Sequence, residues 1–428
     1  MERRHQVVIL GGGFAGLSAA HTLRHAPVDV TLIDRRNFHL FQPLLYQVAT
    51  GGLSPANIAA PLRGVVKKYK NTQVLLGEAI DIDAGKRRVI LKDGAVPYDT
   101  LIVGTGARHH YFGHDDWAQF APGLKTLEDA TAIRRQIFLA FEAAERDTDS
   151  AKERAWLTFV IVGAGPSGVE LAGALSEIAH DTLKHDFRRV DPSQAQIILV
   201  EAADRVLPSY PSDLSEHAAE SLRRLHVTLR TGATVTEVRQ GAVTLETKAG
   251  KECIAARTVL WAAGVQASRL GQVLSRAAGA QIDRSGRPRV APDLSLPGHP
   301  EILVVGDLAN FSHPEGKPLP GVAQVAIQQG RYAARLIQAR LRGATLPDFH
   351  YQDKGNMATI GRAAAVVELP WLHFSGYPAW LAWLFIHLLY IVEFQNRLLV
   401  MVQWAWNYLS FNRSARLITG ESPFPLDL

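Results

Sequence analysis

Two short glycine-rich segments carry the clearest chemical signal in the sequence. The run 11–16, Gly-Gly-Gly-Phe-Ala-Gly, follows the apolar stretch 7–10, and the run 163–168, Gly-Ala-Gly-Pro-Ser-Gly, follows the apolar stretch 159–162. In this spacing the first glycine permits a tight turn, the second lets the backbone approach a pyrophosphate, and the third lets a helix pack closely on a strand. One such motif is weak evidence, but two copies in the same context predict two dinucleotide sites. The residues of the two turns predicted to contact a dinucleotide are Gly11, Gly12, Gly13, Phe14, Ala15, Gly16, Gly163, Gly165, Ser167 and Gly168.

An acidic residue ends the second strand after each glycine segment. Asp34 and Glu201 are placed to accept hydrogen bonds from the ribose of an adenosine. A carboxylate at Glu201 would repel a 2′-phosphate, which favours NADH over NADPH. Arg205 is a possible counterweight to that preference, although a solvated surface arginine explains it better. For both acids the alternative role is a helix cap or an ordinary surface acid.

A third segment adds another acid and two glutamines. Asp307 follows Gly306 at the end of an apolar strand, where its carboxylate could bind the ribityl hydroxyls of FAD; taken alone, the pair is equally consistent with a turn. The stretch 320–330 predicts a proline-led helix with Gln324 and Gln328 on one face. Its N-terminus could stabilise negative charge on a flavin ring. Without that context, two glutamines on a helix are usually only solvated.

The elements that must position these residues predict an α/β fold. Each glycine segment lies between a buried strand and a helix, so the fold class is two Rossmann-like dinucleotide-binding domains. The strand 101–103 is predicted to return to the first sheet, 259–262 to end the second, and 302–305 to rejoin the first. The second domain is therefore predicted to be inserted in the first. The predicted domains are 1–115 with 271–350, 116–270, and a C-terminal membrane-associating helical region, 351–428.

The C-terminal region differs in composition from the rest of the chain. Five of the eight tryptophans lie between Trp371 and Trp406. The stretch 379–392 is apolar except for His387, and 398–411 is largely apolar. A spanning helix needs about 20 apolar residues, so helices lying in the membrane interface fit these lengths better. The alternative is a buried helix pair in the core or in a homodimer interface.

Composition narrows the remaining possibilities. The chain of 428 residues, 47% of them hydrophobic, is long enough for two or three cores. The formal charge of +5 is spread along the chain beside 41 acidic residues and no recognition module accompanies it, so no nucleic-acid partner is predicted. Cys253 is the single cysteine, which excludes a disulfide scaffold or dithiol pair, and no metal site is predicted. The first five residues contain no hydrophobic signal region, so we expect the enzyme part in the cytosol.

Several motifs in order give the chain a family resemblance. They are the run 11–16, the loop 41–49 (Phe-Gln-Pro-Leu-Leu-Tyr-Gln-Val-Ala), Val-Glu-Leu-Ala-Gly at 169–173, Trp-Ala-Ala-Gly-Val at 261–265, Gly-Asp at 306–307, the Ala-Gln-x-Ala-x-Gln-Gln-Gly run at 323–330 and Asp-Lys-Gly-Asn-Met-Ala-Thr-Ile-Gly at 353–361. Together they resemble type II NADH:quinone oxidoreductases, flavoproteins related to the pyridine nucleotide-disulfide oxidoreductases, over essentially the whole chain.

The resemblance implies that FAD lies in the first domain, that NADH enters from the second, and that a quinone accepts the electrons without proton pumping. It implies Glu170 beside the nicotinamide, and Gln324 with Gln328 beside the quinone. His39 and Tyr46 lie in the flavin-side loop, where packing explains each equally well. The flavin neighbours implied are the glycines of 11–16, Asp34, Asp307, Ala323, Gln324 and Lys354, and the further cofactor-binding positions predicted are Ala79, Thr105, Gly106, Ala263, Gly264 and Gly306.

The resemblance also predicts a location and leaves rivals open. A peripheral enzyme on the cytoplasmic face of the cell membrane is expected, attached through residues near Trp371–Phe411, with a homodimer possible. The competing enzyme activities are those of a ferredoxin, rubredoxin or sulfide:quinone reductase. The last normally needs a cysteine pair, which this chain lacks. A flavoprotein that only binds a partner through its tail is the non-enzymatic alternative.

Overall fold

The computed structural model describes residues 3–313, 316, 318–410 and 413–419. The chain forms two compact units, each assembled from three segments. Unit 1 contains 1–40, 59–108 and 265–353, and unit 2 contains 41–58, 109–264 and 354–428. Met1, Glu2 and Phe411, which figured in the sequence predictions, lie outside the described residues.

The elements are as follows. The strands are β1 His5–Leu10, β2 Val28–Asp34, β3 Phe38–Leu40, β4 Ala59–Pro61, β5 Thr72–Leu76, β6 Ala79–Asp83, β7 Arg88–Leu91, β8 Gly94–Pro97, β9 Thr100–Val103, β10 Ala107–His109, β11 Thr158–Val162, β12 Gln196–Glu201, β13 Val227–Thr231, β14 Thr234–Arg239, β15 Ala242–Thr247, β16 Gly250–Ala255, β17 Thr258–Trp261, β18 Val265–Ala267, β19 Ser295–Leu296, β20 His299–Val304, β21 Asn356–Gly361, β22 Ala364–Leu369 and β23 Leu372–Ser375. The α-helices are α1 Phe14–Leu23, α2 Leu45–Ala49, α3 Pro55–Ile58, α4 Leu62–Val65, α5 Leu127–Arg146, α6 Ser150–Trp156, α7 Pro166–Glu177, α8 Ser212–Arg224, α9 Leu270–Ala278, α10 Ala323–Leu341, α11 Tyr377–Tyr390 and α12 Phe394–Ser410.

Unit 1 is built on a six-stranded sheet in the order β19-β20-β9-β1-β2-β5. Its strands are parallel except at the β19 edge. The run Val7–Leu10 is buried on both faces, which is why it is continuously apolar rather than alternating. The predictions that 101–103 returns to this sheet and that 302–305 rejoins it are confirmed by the β9–β1 and β20–β9 pairings.

Unit 2 contains a second parallel sheet in the order β13-β12-β11-β17. Its central strand β11 is buried over its whole length. The pairing of β11 with β17 confirms that 259–262 ends this sheet. Two three-stranded antiparallel sheets, β14-β15-β16 and β21-β22-β23, belong to the same unit.

Helix starts differ from the sequence prediction. The apolar pattern predicts helices that begin at Leu17 and Val169. Helices α1 and α7 begin three residues earlier, at Phe14 and Pro166, because Gly13 and Gly165 are themselves the N-caps. Helix α10 begins at Ala323 instead of at the preceding proline. The charged stretch 146–154 includes the start of helix α6.

The C-terminal part of unit 2 consists of β21–β23 followed by α11 and α12. Helix α11 has 14 residues and α12 has 17. Within the described part of the chain, no helix is both long and apolar enough to cross a membrane.

Candidate active site

The first strand of each parallel sheet leads into its helix through a glycine turn. Gly11 and Gly163 adopt φ angles of +101° and +98°, a region that side chains disfavour. A Cβ on Gly16 would overlap the Gly11 carbonyl oxygen, and a Cβ on Gly168 would overlap that of Gly163. The two turns therefore share one geometry, and both its first and last positions require glycine.

The middle glycine of each turn faces open space. A Cβ built on Gly13 or on Gly165 meets no heavy atom within 4 Å among the described residues. Each of these glycines is the N-cap of its helix, and having no side chain it places no capping group over the helix start. Open space beside the positive end of a helix fits a pyrophosphate group.

An acid closes each turn in the same way. Asp34 Oδ2 accepts a hydrogen bond from Gly12 N–H at 2.6 Å, and Glu201 Oε2 accepts one from Ala164 N–H at 2.7 Å. The other oxygen of each acid accepts from the backbone N–H two residues downstream, at 2.8 and 3.0 Å. A carboxylate has about four acceptor positions, so each acid keeps capacity for ribose hydroxyls. The acids shape the turn as well as offering a sugar contact.

Arg205 is engaged by the backbone. One of its guanidinium nitrogens donates to the carbonyls of Pro208 and Tyr210, at 3.1 and 3.0 Å. These bonds hold the loop after β12, and they orient the Arg205 guanidinium toward carbonyl oxygens. Arg205 therefore stabilises this loop, and its possible effect on the choice of nucleotide stays a prediction.

His39 belongs to the first glycine turn, a role the sequence did not reveal. Its Nδ1 lies 2.9 Å from the Gly12 carbonyl oxygen, and its ring meets that of Phe14 edge-on with centroids 5.1 Å apart. The imidazole is 2% exposed, and this burial lowers its pKa. A neutral ring with Nδ1–H donating to the turn follows. Its Nε2 is buried without a partner among the described residues. Only the strand β3, which the sequence does not predict, places His39 there.

A second missed residue holds the Gly306–Asp307 segment. The side-chain oxygen of Gln329 accepts a hydrogen bond from Gly306 N–H at 2.7 Å, and Gln329 is 1% exposed. Asp307 is half-buried, and a Cβ on Gly321 would lie 3.2 Å from its carboxyl carbon. The two adjacent glutamines of the motif, Gln328 and Gln329, therefore have different roles. The buried Gln329 fixes the backbone beside Asp307.

Two family motifs meet where helices α1 and α10 cross. A Cβ on Gly330 would overlap the backbone of Ala15. The close approach explains why the Gln-Gln-Gly motif ends in glycine. It also brings the helix that carries Gln324 and Gln328 onto the helix that starts at the first glycine turn.

The two glutamines predicted at a quinone have different surroundings. Gln324 is the second residue of α10, and Val322 at the N-cap provides no side-chain bond to the helix start. The Gln328 amide donates to the Gln352 carbonyl oxygen at 2.9 Å and accepts from the Gln352 N–H at 3.0 Å. Gln328 therefore holds the segment before β21, and its contact with a quinone stays a prediction.

The other positions predicted at a flavin occupy varied places. The Thr105 hydroxyl bonds that of Ser268 at 2.6 Å, and a Cβ on Gly106 meets nothing within 4 Å among the described residues. Ala79 begins β6 and is half-buried. Lys354 is exposed and begins the last segment of unit 2.

Glu170 lies on α7 where this helix packs against β21. The pKa of its carboxyl is raised well above the usual value by burial, and a hydrogen bond from Thr359 N–H partly opposes the rise. Glu170 is 8% exposed. A Cβ on Gly173, one turn along, would overlap the Ile360 carbonyl, so the glycine of the Val-Glu-Leu-Ala-Gly motif permits this approach. Because Glu170 lies two residues beyond Gly168, the sequence predicts it in the first turn of the helix. Helix α7 begins at Pro166, so Glu170 lies one turn later.

Buried phenols surround the same carboxyl. Burial raises the pKa of Tyr46 and of Tyr210, and the nearby Glu170 raises both further. The Tyr46 hydroxyl accepts from the Gln47 amide at 2.9 Å, and the Gln47 oxygen accepts from the Trp404 indole N–H at 2.7 Å. A polar chain thus runs from α12 to the surroundings of Glu170 within unit 2.

Each unit collects part of the predicted set. Unit 1 contains Gly11, Gly12, Gly13, Phe14, Ala15, Gly16, Asp34, Ala79, Thr105, Gly106, Gly306, Asp307, Ala323, Gln324 and Gln328, and unit 2 contains Gly163, Gly165, Ser167, Gly168, Glu170, Glu201, Ala263, Gly264 and Lys354. Within the described ranges, no group of three or more His, Cys, Asp and Glu side chains is arranged to hold a metal ion.

Two family models match the chain. Residues 5–330 match the pyridine nucleotide-disulphide oxidoreductase family, and residues 353–413 match the NDH2 C-terminal domain. The chain is 45% identical over 430 residues to the type II NADH:quinone oxidoreductase Ndh of Mycobacterium tuberculosis, covering 99% of this chain and 92% of that protein. It is 46% identical to NdhA of the same organism, covering 98% and 90%.

A solved structure shares the fold. NDH2 from Plasmodium falciparum, determined in complex with NADH, superposes with a TM-score of 0.88 at 19% identity, covering 98% of this chain and all of that one. At this identity the likeness shows the fold alone, and the family rests on the closer relatives. On that sequence evidence the chain belongs to the type II NADH:quinone oxidoreductases, within the pyridine nucleotide-disulphide oxidoreductase family.

Proposed function

We propose that this chain oxidises NADH by way of a bound FAD and passes two electrons to a membrane quinone, without pumping protons. One observation carries the proposal: a glycine turn closed by an acid occurs at the head of a parallel sheet in each unit. Two dinucleotides, one a bound cofactor and the other a substrate, account for two such turns. The family membership assigns FAD and NADH to them.

In unit 1 the chain's own residues fit FAD. The N-terminus of α1 faces the pyrophosphate, and Asp34 accepts from the adenosine ribose. Asp307, held beside Gly306 by Gln329, accepts from ribityl hydroxyls. Bound FAD supplies a ring that takes two electrons from a nicotinamide and gives them up to a quinone. The residues of unit 1 bind and orient that ring and carry no redox chemistry themselves.

In unit 2 the matching residues fit NADH. The start of α7 binds the pyrophosphate, with Ser167 exposed at its second position. Glu201 accepts from the adenosine ribose and disfavours a 2′-phosphate. Arg205, the cation nearest in sequence to Glu201, uses one of its guanidinium nitrogens on two backbone carbonyls.

The buried Glu170 is suited to hold a proton. Its raised pKa favours the neutral acid, which can donate as well as accept. Gln324 offers an amide donor to a quinone carbonyl without a buried charge. We assign Glu170 to the nicotinamide side and Gln324, with Gln328, to the quinone side.

Helices α11 and α12 provide the membrane contact in this proposal. Along α11, Leu381, Phe385 and Leu389 recur every fourth residue and are 45–61% exposed. Along α12, Val402 and Trp406 repeat the spacing, at 58% and 61%. Exposed apolar side chains on one helix face suit the boundary between headgroups and acyl chains. The enzyme would lie on the cytoplasmic face of the cell membrane.

Turnover with defined acceptors tests the function. The holoenzyme on vesicles is supplied with NADH and either a ubiquinone, a menaquinone analogue or a ferredoxin, with NADPH as the control donor. We expect quinone-dependent oxidation of NADH and much slower oxidation of NADPH. Preferential reduction of ferredoxin would support the rival reductase function, and failure of NADH to bleach the flavin would contradict both.

A further inference from the structure

Phe112 adopts a backbone conformation that a bulky residue avoids. Its φ is +53°, in the left-handed region, and its side chain is 59% exposed. The ring is too exposed for its burial to explain this conformation. A turn that only needed a positive φ would favour glycine at this position. Non-glycine residues held in this region by their surroundings cluster at functional sites.

The segment that carries Phe112 is rigidly held. Trp261 Nε1–H donates to the His110 carbonyl oxygen at 3.0 Å, and the Tyr111 ring stacks on Trp261 with centroids 5.1 Å apart. The Tyr111 hydroxyl donates to the Ala121 carbonyl oxygen at 2.8 Å. These contacts hold the backbone just before Phe112, and on its other side the His114 N–H donates to the Tyr111 carbonyl oxygen at 3.0 Å, so the backbone turn that carries the ring is held by the fold.

The ring lies at the carboxyl end of β17. A Cβ on Gly264 would lie 2.7 Å from Phe112 Cζ, so the ring packs directly over this glycine. The preceding residue, Ala263, touches the second glycine turn, because a Cβ on Gly163 would lie 2.7 Å from its backbone nitrogen. Phe112 therefore stands at the rim of the glycine turn of its own unit.

The order of strands decides which half of NADH reaches this rim. Glu201 at the end of β12 takes the adenosine ribose, and the pyrophosphate lies at the start of α7, which follows β11. Since the sheet order is β12-β11-β17, the nicotinamide half continues toward the end of β17. Gly264 and the Phe112 ring lie at that end.

We infer that the Phe112 ring packs against the nicotinamide half of NADH and positions it. The inference rests on the proposed function, because it needs NADH at the second glycine turn. A planar, exposed aromatic ring favours the flat nicotinamide by offset or edge-on packing. The strained backbone holds the ring in place before the substrate arrives, so less side-chain freedom is lost on binding.

Two ligands that differ only in the nicotinamide test the inference. Calorimetric titration of the holoenzyme measures its affinity for NAD⁺ and for ADP-ribose, which lacks the nicotinamide. The difference between the two affinities reports the contribution of the nicotinamide. Phe112→Ala should weaken NAD⁺ binding by about 3- to 10-fold, the range of one aromatic contact. ADP-ribose affinity should stay within about 2-fold of the unmodified protein by the same reasoning, since its contacts are retained. Phe112→Tyr should restore NAD⁺ binding.

Further variants separate contact from folding. Phe112→Gly removes the ring and also relieves the backbone, so it should raise Tm while giving the ligand pattern of the alanine variant. Leu341→Ala, a trimmed apolar residue 40% exposed at the end of α10, should change neither ligand. In turnover, Phe112→Ala should raise KM for NADH with little change in kcat.

Equal weakening of NAD⁺ and ADP-ribose, or no weakening of either, would overturn the inference while leaving the proposed function standing. If the unmodified holoenzyme bound neither ligand and NADH did not bleach its flavin, the proposed function itself would fail.

Discussion

At the scale of single residues, the two acids that close the glycine turns do more than the sequence predicted. Asp34 and Glu201 each use one oxygen on the turn and the other on the backbone two residues downstream. If these acids also bind the ribose, as proposed, a substitution will affect the turn and the sugar contact together. Substitution should therefore change the affinity for the nucleotide as well as the choice between nucleotides.

Glu201→Gln tests this double role. Turning one acceptor oxygen into an NH₂ group sets a donor against a backbone N–H, so we expect NADH affinity to fall by about 1–2 kcal/mol. NADPH should lose less because the repelling charge has gone, and the ratio of kcat/KM for the two donors should narrow. Asp204→Asn, an exposed acid in the same loop, is the control. An unchanged ratio would contradict the role of Glu201.

His39 gives a second residue-scale prediction. Removing its ring deletes the Nδ1–H donor to the Gly12 carbonyl, so His39→Ala should weaken FAD binding by about 1 kcal/mol, or several-fold. The measurement is the FAD dissociation constant after reconstitution of the apoprotein. His25→Ala, an exposed histidine just after α1, should leave it unchanged. Equal loss in both variants would mean that the bond to Gly12 does not support the cofactor.

The sequence predicts the residues of a turn when their spacing along the chain is fixed. It does not predict the residues that contact the turn from other elements. The glycines and acids follow a fixed pattern along one βα unit, so the sequence alone identifies them. His39 reaches the turn through strand β3, and Gln329 reaches Gly306 from another helix. Such contacts depend on packing between elements distant in sequence, which periodicity does not encode.

At the scale of elements, helix α10 carries two glutamines, Gln324 and Gln328, that the sequence predicts to act together but that have different contacts. The spacing of four correctly places Gln324 and Gln328 on one face, but only the fold shows the bonds of Gln328 to the Gln352 backbone. One of the pair can therefore be structural while the other serves the substrate.

Pre-steady-state kinetics can measure the effect of each glutamine on the two half-reactions of the flavin. Gln324→Ala should leave reduction of the flavin by NADH nearly unchanged and slow its reoxidation by quinone several-fold, about 1 kcal/mol for one hydrogen bond. Gln328→Ala should chiefly lower Tm, since it releases the segment before β21. Equal slowing of both half-reactions by Gln324→Ala would point to a displaced flavin and against a quinone contact.

The packing of α7 on β21 makes stability depend on pH through Glu170. Its folded-state pKa lies above the ordinary 4.5. Between these two values only the folded protein keeps the proton, so its stability falls as pH rises, by at most about 1.4 kcal/mol per pH unit. Below 4.5 the contribution is complete, and above the raised pKa it is lost.

Glu170→Gln has no proton to lose. The Tm of this variant relative to the unmodified protein should therefore rise as pH increases through that window, in parallel scans of both holoenzymes. Glu177→Gln, a carboxyl farther along α7 that pairs with Arg413, is not expected to give this slope. A Tm difference that is constant across pH would show that Glu170 titrates normally.

At the scale of the whole molecule, long-range contacts determine how the chain divides. The loop 41–58 and the segment 354–428 both cluster with the central sheet of unit 2. Asn407 donates to the Gly52 carbonyl at 3.0 Å, and the Arg413 guanidinium bonds the Thr50 hydroxyl at 3.0 Å. Reasoning along the sequence identified the composition of the tail but not these partners, which lie more than 350 residues earlier.

These contacts also determine how the membrane contact should be tested. Cutting the chain before Trp371 would remove Trp404 and Asn407, the hydrogen-bond partners of Gln47 and Gly52, so loss of activity would be ambiguous. Substitution of outward side chains alone leaves the inner contacts intact. Phe385 on α11 and Trp406 on α12 are each 61% exposed.

Phe385→Ser combined with Trp406→Ser should weaken binding to lipid vesicles. Each aromatic side chain withdrawn from the lipid loses about 2 kcal/mol of apolar burial, or about 30-fold in partitioning. NADH oxidation with a water-soluble quinone should stay unchanged, since both glycine turns are untouched. Leu341→Ser, an exposed apolar residue outside the tail, should retain binding. Sedimentation without lipid distinguishes the alternative: a dimer in the unmodified protein that dissociates in the double variant would show that these faces bury each other.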